Sequence, residues 1–319
     1  MSTGPGFTHF ADSLAGGCFA VLLGLLSGCS IKQIAINKLG DALAQSNPTF
    51  ATDDDPDLVK AAAPFSLKLI ETLLAESPRH PGLLLTACSG FTQYSYAFVS
   101  QEADEKEDAD LAVADALRAR ARRLYLRARG YGLRGLELRH AHFEQALRNR
   151  PKTAVQVTSV DDVPLLFWTA AAWGTAISLS KEDPALVADQ PIVEALIDRA
   201  LELKEDFDGG VIHSFLIRYE MTRVSLAGDP AARARRHFDR AMELSQGQLA
   251  APLVNLAEAV AVQKQDRAEF QALLNRALAI NPDAAPQWRL QNLVAQRRAR
   301  WLLSRSTELF LDDSKDRPK

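Results

Sequence analysis

One apolar spacing constrains this chain more than any other feature. Ile197-Ala200-Leu201, Phe238-Ala241-Met242 and Leu274-Ala277-Leu278 share the same i, i+3, i+4 pattern, and each is followed by a turn and a further helical pattern. Residues so spaced lie on one face of a helix, and a small residue among them lets a neighbouring helix approach closely. Strand-like alternation is confined to short stretches such as Ala154 to Val160. The chain is therefore predicted to be all-α, built from helix pairs that bury their faces only by stacking.

Counting refines this. With Ala251 as position 1 of a 34-residue unit, Ala277 falls at position 27 and Pro282 at position 32, the small residue and proline of a tetratricopeptide (TPR) repeat. A unit counted from Phe215 puts Phe238 at position 24 and Ala241 at position 27, with Gln246 in place of the proline. Ile70 and Pro78 match an earlier unit equally loosely. The expectation is a TPR-like solenoid or an irregular helical bundle. Asp55-Pro56 supplies an aspartate cap and a proline at the first helical position, opening a helix that runs to Ser77-Pro78. Helices are then predicted over 81–103, 111–130, 134–149, a segment opened by Asp161-Asp162-Val163-Pro164, 191–204, 210–225, 230–245, 251–264, 267–280 and 286–311.

The N-terminal region reads as an address. Leu14 to Leu26 is uncharged and mostly apolar or small, too short to span a bilayer, which takes about 20 residues, and suited to a signal-peptide core. It ends in Leu26-Ser27-Gly28-Cys29, like the lipobox of bacterial lipoproteins, in which the cysteine thiol is acylated and becomes the new N-terminus. Met1 to Ser13 carries no lysine or arginine, a departure from the usual signal. Ser30, not aspartate, follows the cysteine and favours the outer membrane. The expected organisation is a signal peptide over 1–28, a lipidated segment over 29–52 anchored to the bilayer through Cys29, a helical domain over 53–312 and a disordered tail over 313–319.

Catalytic signatures are lacking. There is no phosphate loop, dinucleotide fingerprint, H-E-x-x-H or G-x-S-x-G, so a non-enzyme with no cofactor or metal is expected. Net charge is -3, which gives no bulk attraction to nucleic acid. The body holds a single cysteine, Cys88, read as a small core residue. His140 and His142 are spaced so that they diverge on a helix, and His213 reads as a core histidine. Arg118, Arg120, Arg122, Arg123, Arg127 and Arg129 are expected to pair with Glu102, Asp104, Glu105, Glu107 and Asp108, while Arg297, Arg298 and Arg300 are read as similarly paired or facing a partner.

Two aromatic segments remain. Phe91, Gln93, Tyr94, Tyr96 and Phe98 surround one helix, and Phe167, Trp168 and Trp173 lie on another that is apolar on nearly every face. Such a helix is either central in the core or lines an apolar cavity. These eight residues are the candidates for lining a ligand channel.

The chain resembles the T-component family of TPR-associated TRAP transporters. The resemblance rests on Asn37-Lys38-Leu39-Gly40-Asp41-Ala42-Leu43, Gly90-Phe91-Thr92-Gln93-Tyr94 with Tyr96-Ala97-Phe98, and Tyr131-Gly132-Leu133-Arg134-Gly135-Leu136-Glu137. It continues through Val163-Pro164-Leu165-Leu166-Phe167-Trp168, Ala171-Ala172-Trp173-Gly174 and Val193-Glu194-Ala195-Leu196. It implies a periplasmic lipoprotein, with a homotrimer as one expected assembly, that associates with the solute-binding P component of the transporter. A channel through the protomer would pass a hydrophobic or organic-acid ligand. The alternative is a TPR scaffold lipoprotein of outer-membrane or envelope assembly.

Overall fold

A computed structural model of the chain describes Met1 and residues 36–43, 47–223 and 227–311, among which every regular element is helical. The signal segment and Cys29 lie outside the described residues. The principal helices are α1 (Pro56–Glu76), α2 (Pro81–Tyr94), α3 (Leu111–Arg139), α4 (Phe143–Asn149), α5 (Val163–Ser178), α6 (Gln190–Leu203), α7 (Val211–Tyr219), α8 (Pro230–Leu244), α9 (Ala251–Leu256), α10 (Arg267–Ala279) and α11 (Arg289–Ser304). A π-helical turn, Ser95–Ser100, carries α2 on into Gln101–Lys106, and a second, Ala257–Ala261, extends α9.

Side-chain caps set several of these starts. Asp55 accepts from the backbone N–H groups of Asp57 and Leu58 at α1, and Asp110, Asp229 and Asp266 cap α3, α8 and α10 in the same way. At α5, Ser159 and Asp162 form a reciprocal capping box one turn upstream. The alternating stretch 154–160 ends in a short 3₁₀ turn, not a strand, because Thr158 ties its hydroxyl back to the Val155 carbonyl at 2.7 Å.

The helices form two rows. The inner row is α2, α5, α7, α9 and α11, each packed on the next; α3, α6, α8 and α10 bridge successive members from outside. This is the packing of a helical-repeat solenoid. Ala200, Ala241 and Ala277, the small residues of the three recurring triplets, are all fully buried where outer helices meet inner ones. One apolar core runs from α1 to α7, with Trp173, Leu83, Leu136 and Leu166 at its centre, and a second runs from α7 to α11 around Phe270, Leu274 and Val260. Each large side chain so buried contributes about 1.5–3 kcal/mol.

The row closes on itself. α11 packs against α1 and the short Asn47–Ala51 helix, and Arg289 donates to the Thr52 carbonyl at 3.0 Å across 237 residues of chain. The segment at 36–43 docks beside the same end, where the Ser77 hydroxyl lies 2.9 Å from the Asn37 side chain.

Sequence reasoning divided one helix in two. α3 runs without interruption through Gly130, Gly132 and Gly135 to Arg139. The glycines serve close packing: a Cβ at Gly132 would stand 2.0 Å from the Thr169 hydroxyl, and one at Gly135 would stand 2.8 Å from Leu165. The α3–α5 contact repays the roughly 1 kcal/mol that a mid-helix glycine costs relative to alanine. A Cβ at Gly130 meets nothing within 4 Å. Gly132→Ala is therefore expected to destabilise by about 1–3 kcal/mol through overpacking, and Gly130→Ala to stabilise by up to about 1 kcal/mol. Urea unfolding of the two variants checks both signs.

Candidate functional site

Closure of the inner row turns its concave face into an interior. Tyr96, on the first π turn, keeps 40% of its surface accessible, and the side chain of Arg218, near the end of α7, is 45% accessible. Both lie on the inner side of the closed row. On α7 the accessible positions Val211, Phe215 and Arg218 fall on one face, and the residues between them are buried.

A chain of alternating charges joins four inner elements, one link from each. Arg218 donates to Glu258 at 2.7 Å, and Glu258, on the second π turn, also accepts from Arg298 of α11. Arg298 lies 2.9 Å from Asp104, in the continuation of α2. The Arg298 guanidinium stacks on Trp301 at 4.2 Å. Burial pushes Glu258 up, but Arg218 and Arg298 outweigh it and hold the carboxyl below its ordinary value. For Asp104 the balance is reversed: burial prevails over Arg298, and the pKa is raised. The field of Glu258 keeps Arg218 firmly charged. Desolvation pushes Tyr96 up, leaving a neutral hydroxyl beside the arginine.

The acidic run therefore has partners different from those expected. Arg297 binds Glu105 at 2.7 Å, and Arg305 pairs with Asp108. Arg297 and Arg298 of α11 thus tie the last inner helix to the first, while Arg300 on the same helix is exposed. Among the α3 arginines, Arg118 reaches the run, at Glu107 and Asp104. Arg122, Arg127 and Arg129 go instead to Asp183, Glu71 and Asp189, because the turn of the helix aims them at other outer elements. Arg120 stacks on Tyr94 at 5.8 Å.

The eight aromatic-segment residues divide. Phe91, Tyr94, Phe98, Phe167 and Trp173 are buried within the first core. Gln93, Tyr96 and half-buried Trp168 keep accessible surface. Phe167 meets Trp168 edge-on at 4.8 Å and Phe215 at 6.3 Å, so the aromatic wall continues onto α7. Phe215, Arg218 and Glu258 escaped sequence reasoning. Their signal was a single charge inside an otherwise apolar helix, which marks an interior face that is not packed dry.

The remaining polar residues serve structure. Cys88 is fully buried 4.0 Å from the Thr169 hydroxyl, and desolvation pushes its thiol up to about 12, which makes it inert as a nucleophile. His140 lies 3.0 Å from the buried Asp162 carboxylate, which Arg139 also binds. His213 and His237 face each other through their Nδ1 atoms at 2.8 Å, joining α7 to α8. Burial and then the neighbouring imidazole lower His237 to about 4, and burial lowers His213.

Helix pairs stacked in two rows, with the last inner helix tied back to the first, make this an all-helical repeat protein. The chain belongs to the TRAP transporter T-component family, whose model matches residues 52–310. It is therefore an accessory component of TRAP transporters, and that family is not one of known enzymes. It is also 28% identical over 315 residues to an uncharacterized protein of Treponema pallidum (strain Nichols), covering 92% of this chain and 97% of the relative.

Two tests follow from this geometry. Arg298→Met leaves Glu258 and Asp104 short of a counter-charge and is expected to cost roughly 2–4 kcal/mol, because the partial accessibility of Asp104 and Arg218 offsets part of the buried-pair penalty. Arg305→Met, at an exposed carboxylate, is expected to cost under about 1 kcal/mol; chemical denaturation compares them. Since His213 and His237 resist protonation in the folded state, the unfolded chain binds more protons below its ordinary histidine pKa of about 6.5. Stability is expected to fall as pH drops from 6.5 toward 4, with a shallower fall in His237→Gln, measured as unfolding midpoint against pH.

Proposed function

We propose that this chain is a periplasmic lipoprotein, anchored to the outer membrane through Cys29, that docks the solute-binding P component of a TRAP transporter and holds the transported ligand in its central passage. The observation that carries this reading is the accessibility of Tyr96 and Arg218 on the inner side of the closed row, where a solid core would leave both buried. Family membership supports the partner, and the lipobox-like Leu26-Ser27-Gly28-Cys29 supports the anchor. Acyl chains add about 0.8 kcal/mol per buried CH₂, so a multiply acylated terminus stays on the bilayer. No helix among the described residues is long and apolar enough to cross a membrane, and the anchor supplies the attachment instead.

In this reading the protein performs no chemistry on its cargo. The aromatic wall of Trp168 and Phe215 receives apolar surface, the charged link of Arg218, Glu258 and Arg298 orients polar groups, and the outer helices present the docking surface.

The full-length lipidated protein is expected to co-purify with the P component and to release a small organic molecule detectable by native mass spectrometry. Tyr96→Trp, which fills the passage, is expected to keep the P component and lose the small molecule. Absence of both the P component and any bound molecule from the wild-type preparation contradicts the proposal. Cys29→Ala is expected to shift the protein from the detergent to the aqueous phase, and unchanged partitioning refutes the anchor.

A further inference from the structure

Arg218 is a cation that is firmly held and still accessible. Among the described residues its carboxylate partner is Glu258, and its side chain remains 45% accessible. It is also the charge that acts most strongly on Tyr96, whose hydroxyl has no hydrogen-bond partner among the described residues. An arginine carries five N–H donors in a planar fork and a tyrosine hydroxyl adds another, so both groups keep donor capacity that the Glu258 ion pair does not use.

Glu258 differs from Arg218 in what holds it. It is shared between Arg218 and Arg298, and Arg298 is shared in turn with Asp104. Removing the Arg218 contact would leave Glu258 paired with Arg298 and would strand no buried charge. Stranding such a charge is what ordinarily makes breaking a buried pair expensive. Glu258 also sits on a π turn, a rare element that recurs at functional sites.

We propose that Arg218 is the anion-receiving group of the passage, with Tyr96 as a second donor, and that Glu258 is its resident counter-ion, displaced when a monoanionic head group arrives. The inference rests on the reading of the passage as a ligand site. The head group is a carboxylate or a group of like charge and size, because a planar guanidinium binds a carboxylate in bidentate fashion. The ligand's body is apolar: Phe215 lies one turn before Arg218 on the same face and continues into Phe167 and Trp168. A neutral ligand of the same shape would gain the wall and not the fork. Glu258 thus screens the passage, admitting only ligands that can replace its carboxylate.

The test measures binding of decanoate, decanol and lysophosphatidylglycerol by isothermal titration calorimetry, in the wild type and in Arg218→Met, Arg218→Lys and Glu258→Gln. Melting curves confirm that each variant is folded. Decanoate is expected to bind the wild type at least tenfold more tightly than decanol. Arg218→Met is expected to lose about ten- to hundredfold for decanoate, the loss that follows removal of a hydrogen-bonded charge, with decanol unchanged; Arg218→Lys falls between. Glu258→Gln removes the competitor and is expected to tighten decanoate severalfold, an outcome that a purely structural ion pair does not produce. Binding of the lysolipid alone, with the same dependence on Arg218 and Glu258, supports the anion site and assigns its source to a lipid head group. Equal affinity for decanoate and decanol, indifference to Arg218→Met, weaker decanoate binding in Glu258→Gln, or no binding of either anion overturns the inference. Retention of the P component by Arg218→Met separates that failure from failure of the transport reading.

Discussion

The architecture depends on arginines of the last inner helix meeting carboxylates at the end of the first. Arg298 reaches Asp104 at 2.9 Å and Arg297 reaches Glu105 at 2.7 Å, with about 190 residues of chain between partners. Stacking of helix pairs by itself produces an open superhelix with a concave face. These contacts, with the packing of α11 on α1, convert that face into an interior. The loop-closure entropy of joining such distant segments grows only slowly with length, so a few partly buried ion pairs and the α11–α1 contact suffice once the repeats have stacked.

Enclosure changes what the inner side chains do. On an open concave face Tyr96, Arg218 and Glu258 would be ordinary surface residues in a high dielectric. Within the ring their interactions are stronger and their unmet hydrogen bonds more costly. Two of the groups, Tyr96 and Glu258, sit on the π-helical turns Ser95–Ser100 and Ala257–Ala261. A π turn shifts the phase of the helix, so residues after it face differently from where the preceding period would put them. Placing both shifts on inner helices turns polar side chains toward the inner side of the row while the flanking Phe91, Phe98, Val260 and Leu253 remain in the cores. A second buried network, Glu220 with Arg223 and Arg233, fastens the end of α7 to α8.

Much of the fold was legible in the residues. Aspartate caps, prolines at first helical positions and the Ala200, Ala241 and Ala277 spacing locate most helices, because capping and i, i+3, i+4 packing are local rules. α3 was split at Gly130 because glycine in a helix signals either a stop or a close approach, and only the partner, Thr169 on α5, distinguishes them. Closure of the ring was not legible at all: it is a relation between residues near 105 and residues near 298, and the nearer α3 arginines offered a plausible local pairing. The site was half visible. Aromatic richness drew attention to the right elements, α2 and α5, but a helix that is apolar all round looks the same in a core and in a wall. The residues that decide the matter, Arg218 and Glu258, gain their meaning only from each other, 40 positions apart.

The existence of an open passage at Tyr96 is most directly tested by thiol labelling. Tyr96→Cys is introduced and the folded protein exposed to a small methanethiosulfonate reagent, with modification of the peptide carrying position 96 followed by mass spectrometry and the fully buried Cys88 as internal reference. An open interior predicts that position 96 is modified rapidly while Cys88 stays unmodified, and that a bulky reagent reacts far more slowly at 96. Failure of position 96 to react under conditions where an exposed cysteine reacts to completion would contradict the passage and with it the carrier role.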